Sequence, residues 1–183
     1  QELRDTLRNL RKEEPVGMIL DLRNNPGGYL ETAIRVVSEF IKDGIVMYEE
    51  YGDGSRTTFK SRGGGLATDI PLVVLINEGS ASASEITAGA IQDRARGILV
   101  GANSFGKGTV QKWTPLDEDQ GAVKITIARW LTPNEQAIDG VGLSPDVEVP
   151  FTEEDMLAER DPQLEKAIEL LKDPDALKAA ATK

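Results

Sequence analysis

At 183 residues, 39% hydrophobic and 28% charged, the chain has the length and composition of one soluble globular domain. A net charge of −10 without a dense basic cluster excludes nucleic acid and anionic membrane surfaces as partners. With neither histidine nor cysteine, Ser-His-Asp and Cys-His catalysis, disulfides and thiolate metal sites are excluded, and no calcium-type carboxylate loop is present, so neither metal nor cofactor is expected.

Leu3, Leu7 and Leu10 share one helical face in residues 1–13, and Pro15 ends that helix. Residues 16–22 form a mostly apolar run with the length of a strand buried on both faces, broken by Arg23-Asn24-Asn25-Pro26-Gly27-Gly28. A helix is predicted over 30–42, with Leu30, Ala33, Ile34, Val37 and Ile41 on one stripe. Residues 45–51 and 55–60 flank Gly52-Asp53-Gly54, a hairpin signal, and Arg62-Gly63-Gly64-Gly65 reads as a flexible loop. A second buried strand over 71–77 leads directly into a helix over 83–94, and strands follow at 97–101, 110–115 and 122–130. Asp161-Pro162 opens a final helix carrying Leu164, Ile168 and Leu171, beyond which the alanine-rich tail near residue 180 is expected to fray. Strands alternating with helices predict an α/β domain with a largely parallel sheet. No apolar run approaches the roughly 18 residues that span a bilayer, and no export leader is visible at the amino end. Opening in mid-helix at Gln1-Glu2-Leu3-Arg4 without an initiator methionine, the chain reads as a mature form or a cut fragment.

A hydroxyl nucleophile needs a base. Without imidazole that base is a lysine or a carboxylate, and lysine serves where burial disfavours its ammonium form. Lys107 stands among glycines in Gly106-Lys107-Gly108-Thr109-Val110-Gln111, in a turn whose backbone can come close to something else. The serines stand in Gly79-Ser80-Ala81-Ser82-Ala83-Ser84-Glu85, between a strand and a helix. Ser82-x-x-Glu85 is a capping box, which accounts for one serine and for Glu85. It does not account for a connection built almost wholly of Gly, Ala and Ser, which leaves room for another chain against the backbone. The helix start also supplies amides and a positive dipole suited to an oxyanion. Composition does not choose among Ser80, Ser82 and Ser84.

Gly101-Ala102-Asn103-Ser104-Phe105-Gly106-Lys107 matches the first part of a phosphate-binding P-loop, but Gly108 stands where Ser or Thr should hold magnesium, and a strand follows instead of a helix. Asn24-Asn25-Pro26-Gly27-Gly28 is either a plain glycine turn or a set of exposed amides at the carboxyl edge of the sheet, where α/β folds bind ligands.

Taken in order, Asp21-Leu22-Arg23-Asn24-Asn25-Pro26-Gly27-Gly28, Gly79 to Glu85 with Gln92-Asp93, Ser104 to Gln111, and Asp139-Gly140-Val141-Gly142-Leu143-Ser144-Pro145-Asp146 resemble the carboxyl-terminal processing, or tail-specific, proteases over about residues 16–149. The resemblance implies a crotonase-like α/β core and a serine-lysine dyad. It matches Ser82 to the nucleophile, Lys107, 25 residues on, to the general base in a buried pocket, and Gln111 to the residue that positions the lysine. It matches the amides of Ala83 and Gly28 to the oxyanion hole. It further implies protein or peptide substrates with exposed carboxyl termini, an extracytoplasmic location, and is compatible with homo-oligomers. Family members carry a PDZ domain and an export signal ahead of this core, so the expectation is a single catalytic core, 1–183, cut from a longer chain. A different class of function on the same fold is a non-catalytic module that binds a ligand or peptide.

Overall fold

The computed structural model describes residues 1–117 and 121–181. In chain order its elements are α1 (Glu2–Lys12), β1 (Met18–Asp21), α2 (Leu30–Phe40), β2 (Ile45–Tyr51), β3 (Arg56–Lys60), β4 (Leu72–Ile76) and α3 (Ala83–Asp93). There follow β5 (Ile98–Gly101), β6 (Thr109–Pro115), β7 (Ala122–Leu131), β8 (Val147–Glu148), α4 (Glu153–Leu157), α5 (Pro162–Lys172) and α6 (Pro174–Ala180).

The parallel sheet runs β1-β4-β5-β8. At its centre β4 is buried at every residue. Leu72, Val74 and Ile76 enter one apolar cluster and Val73 and Leu75 the other, as the two-residue period of a strand requires. On the first face Ile34, Val37 and Phe40 of α2 and Ile86 and Ile91 of α3 complete the cluster. On the second, Ala167 and Leu170 of α5 and Ala180 of α6 do so. Both faces are covered, which is how parallel sheets are stabilised. The expected α/β core with a parallel sheet flanked by helices is therefore present.

Beside it stands a second sheet, β3-β2-β7-β6, with every pairing antiparallel. The predicted hairpin supplies β2 and β3: Gly54 donates to the Tyr51 carbonyl, and the Asp53 carboxylate accepts from the Ser55 amide and hydroxyl. Val46, Met47 and Trp130 join this sheet to the first cluster. The strands near 110–115 and 122–130 thus belong to this sheet and not to the parallel one.

Two expectations are corrected. The Arg62–Gly65 loop is pinned: Glu39 accepts from the Leu66 amide through its carboxylate and from the Ala67 amide through its carbonyl, and Arg62 pairs with Glu31. Gly65 lies so close to the α2 carboxyl end that a Cβ there would collide with the Ser38 carbonyl oxygen. The tail near residue 180 is helical as α6, capped by Asp173 and packed through Ala180, while residues 182–183 lie outside the described residues. Asp161 caps α5 as expected, its carboxylate accepting from Leu164 at 2.9 Å. Among the described residues no helix is long and apolar enough to cross a membrane.

Candidate active site

The turn between β4 and α3 distinguishes its three serines. Ser80 is fully buried; its hydroxyl donates to the Leu22 carbonyl at 2.8 Å and accepts from the Asn77 amide at 3.0 Å, so it fastens this turn to the end of β1. Ser84 is buried in the first turn of α3. Ser82 alone of the three is half-buried, and it stands at φ 56°, ψ −115°. For a residue with a Cβ that backbone costs about 1–3 kcal/mol and persists only where the surroundings impose it. A strained serine on a sharp strand-to-helix turn is also the way other hydrolytic folds push a hydroxyl out of the backbone.

The loop 23–28 embraces this turn. Asn24 donates its amide to the Asn77 side chain, Asn25 accepts from the Ala81 amide through its carbonyl, and the Asn25 side chain accepts from Gly27. Gly27 has φ +93°, and a Cβ there would lie 2.6 Å from both the Ala81 oxygen and the Ala83 nitrogen. Most amides of this loop are therefore committed to structure, which corrects the picture of a general amide-lined edge. Gly28 differs: nothing lies within 4 Å of a Cβ built on it. Among the described residues neither the Gly28 amide nor that of Ala83, the first residue of α3, donates to another protein group.

Lys107 lies in the connection from β5 to β6. Its flanking glycines bring that loop against the 138–142 segment. A Cβ at Gly106 would meet the Gly142 nitrogen at 2.8 Å, and one at Gly108 would meet the Asp139 nitrogen at 2.6 Å. Gly108 donates to the Asp139 carboxylate and its carbonyl accepts from Trp130. Ser104 accepts from the Leu143 amide through its hydroxyl, and Asp146 accepts from Leu99 and Gln92. The late Asp139–Asp146 motif is thus a buttress for the lysine loop. No helix follows Gly108, so the P-loop reading is excluded by the strand β6.

Glu85 joins the two loops. It is fully buried, and its carboxylate accepts from the Ser104 hydroxyl and the Gly106 amide at 2.6 Å, the Ser82 amide at 2.7 Å and the Lys107 amide at 2.9 Å. The sequence reading credited it only with the capping box. The available signal was a lone acid in the otherwise small and apolar run Ser84-Glu85-Ile86-Thr87-Ala88, with no basic residue beside it.

Ser82, Lys107, Gln111, Ala83 and Gly28 line one cleft of about 380 Å³. Leu30, Met47, Ile86, Val110 and Trp130 provide its apolar wall, and Lys124 adds a second cation at the rim. The site residues read from the sequence are thus brought together. One expectation fails: Lys107 is exposed, not buried, and among the described residues no hydrogen bond joins its amine to the Ser82 hydroxyl. A separate groove of about 490 Å³ between α1, β1 and α5 is lined by apolar side chains apart from Thr6 and Lys172.

The strained serine turn and the cleft beside it sit on an α/β core, and comparison gives the family of that core. The model of peptidase family S41 matches residues 1–149. A carboxyl-terminal-processing protease of Synechocystis is 39% identical over 174 residues, 93% of this chain and 40% of that protein. The chloroplastic carboxyl-terminal-processing peptidase 3 of Arabidopsis thaliana is 40% identical over 148 residues, 80% of this chain and 28% of its own length. The solved structure of a photosystem II D1 C-terminal processing protease superposes with a TM-score of 0.78 at 36% identity, over 81% of this chain and 38% of that one. The chain belongs to peptidase family S41. It spans two fifths or less of the length of these relatives.

Proposed function

We propose that this chain is the catalytic core of a serine endopeptidase that cleaves proteins near their carboxyl termini, with Ser82 as nucleophile and Lys107 as base. The observation that carries the reading is the strained backbone of Ser82, which aims the one half-buried hydroxyl of its turn into the cleft that Lys107 and Gln111 also line. Ser82 Oγ attacks the scissile carbonyl carbon as its proton passes to Lys107 Nζ, the bound substrate covering the otherwise exposed amine and disfavouring its ammonium form. The lysine returns that proton to the leaving amine nitrogen, and the peptide C–N bond breaks. Water then attacks the acyl-enzyme, giving its proton to the lysine and restoring the Ser82 hydroxyl. The amides of Ala83 and Gly28, which have no other acceptor, suit the oxyanion formed in each half. Gln111, which lines the same cleft as Lys107, is assigned to orient the amine. The apolar wall of Met47, Ile86 and Trp130 suits an apolar side chain beside the scissile bond. Carboxyl-terminal action and a site outside the cytoplasm rest on the family resemblance and on what the relatives are named for.

The test is cleavage of an unstructured polypeptide. Ser82→Ala and Lys107→Ala are each expected to lower kcat/KM by about a thousandfold or more with unchanged circular dichroism, and the double variant is expected to be little worse than either, because nucleophile and base act as a unit. Substantial activity in Ser82→Ala overturns the assignment.

A further inference from the structure

We propose that the free edge of β6 is the main-chain binding track for the substrate, which lies along it as an added, extended strand. β6 is the outer strand of the antiparallel sheet; among the described residues it pairs with β7 alone. It begins two residues after Lys107, and Thr109, Val110 and Gln111 line the Ser82 cleft. The edge strand β3 lies at the far side of the sheet, and the edge strand β1 belongs to the other sheet; neither borders that cleft.

The register identifies which groups the edge offers. Leu116 donates to the Gly121 carbonyl at 2.9 Å, which makes that pair hydrogen-bonded. Hydrogen-bonded and non-bonded pairs alternate in an antiparallel ladder. Thr114 opposite Val123 and Lys112 opposite Ile125 are therefore bonded pairs, whereas Trp113 opposite Lys124 and Gln111 opposite Thr126 are not. The N–H and C=O of Gln111 and of Trp113 consequently face away from β7, toward the open edge. At about 3.4 Å per residue, these two sets of groups stand roughly 7 Å apart, the repeat of an extended chain. A polypeptide paired there lies along the cleft that Ser82 also lines. Strand addition of this kind takes its affinity from main-chain groups common to all residues.

One side chain adds selection. Trp113 is 64% exposed, shares the pocket-side face with Gln111, and has the Lys124 amine 5.9 Å from its ring centroid. Its indole is placed to cover an apolar substrate side chain, and the lysine lies over the same ring. The occupant is thus an unfolded, extended segment of polypeptide, selected weakly by sequence and strongly by its ability to pair. This proposal rests on the Ser82 cleft being the reaction centre.

The experiment measures binding of a labelled apolar octapeptide, blocked at both ends, to the full chain carrying Ser82→Ala. Each peptide nitrogen is methylated in turn. Methylation is expected to weaken binding about tenfold or more at alternate positions and less than about twofold between them, with Trp113→Pro, which removes an outward N–H and the indole but no bond to β7, weakening it similarly. Losses without a two-residue period overturn the proposal. So does a free chain that sediments as a dimer until Trp113 is replaced by proline, which assigns the edge to a second copy. Labelling of wild-type Ser82 by a fluorophosphonate separates the two readings: labelling without periodic binding leaves the serine assignment standing, and periodic binding without labelling leaves the track standing.

Discussion

The main-chain amides of Ser82 and Lys107 donate to the same atom, Oε2 of Glu85, at 2.7 and 2.9 Å. Two loops far apart in sequence are thereby hung from one acceptor, and the other oxygen holds Ser104 and Gly106 in the same way. A buried carboxylate is costly unless its lone pairs are filled, and here four donors fill them. Glu85 is not among the residues that line the cleft; it sets the distance between the Ser82 turn and the Lys107 loop.

Replacing that acid is the sharpest test of its role. Glu85→Gln is expected to turn one acceptor oxygen into a donor facing amides, and to lower stability by about 3 kcal/mol, a fall in melting temperature of roughly 6–12 °C. The surviving folded protein should lose kcat more than it gains KM, because the Ser82 and Lys107 loops no longer share a fixed acceptor. Thermal melts and steady-state kinetics on the same sample check both parts. Unchanged kcat in a variant that melts lower would restrict Glu85 to stability.

The adjacent glycines should behave differently. Gly27→Ala forces a Cβ into the Ala81 oxygen and Ala83 nitrogen at a φ of +93°. It is expected to push the loop off the Ser82 turn and to reduce kcat by about a hundredfold, the scale of losing one oxyanion donor. Gly28→Ala meets no atom within 4 Å and keeps its amide, so its effect should stay within about tenfold. Parallel kinetics of the two variants decide this, and equal losses would place the donor elsewhere.

Much of the fold was legible because local pattern and burial agreed. The apolar 71–77 run is the fully buried β4, and Asp161-Pro162 starts α5 as a cap and first-turn proline should. The same Asp-Pro signal recurs at Asp173-Pro174, and its short alanine-rich sequel disguised α6 as a fraying tail. At two residues β8 is too short for any period to show. At the site, residue pattern reached the serine turn and the glycine-flanked lysine, but choosing Ser82 needed the family resemblance or the φ value. Glu85 stayed hidden because a capping box already explained it, and the exposure of Lys107 depends on how two sheets meet, which no local signal encodes.

The serines of the turn predict distinct phenotypes. Ser80→Ala leaves the Asn77 amide without its acceptor in a buried site and removes the bond to Leu22. A stability loss of about 1–3 kcal/mol is expected, with activity per folded molecule largely retained. Ser82→Ala keeps a Cβ on the strained backbone and removes only the hydroxyl at the start of α3, so stability should change by about 1 kcal/mol or less, while activity disappears. Denaturant titration beside an activity assay checks the crossing of the two effects.

Acid sensitivity should centre on Asp161. Arg23 donates to both of its oxygens, at 2.9 and 2.8 Å, and with the Leu164 amide holds the carboxyl below the usual carboxylate range. A carboxyl depressed in the folded state stabilises above its unfolded value of about 4, and that stability is lost as pH falls through the folded value. Asp161→Asn is therefore expected to lower the melting temperature most at neutral pH, with the difference from the parent chain shrinking below about pH 4. A difference that grows toward acid pH would reverse the sign.

Whether Ser82 is the nucleophile and Lys107 its base can be read from the site and rate of covalent modification by a fluorophosphonate, mapped by peptide mass spectrometry. One adduct is expected, on Ser82, with none on Ser80 or Ser84, and labelling slowed about a hundredfold or more in Lys107→Ala. An adduct on another residue, or Ser82 labelling as fast without Lys107 as with it, would contradict it.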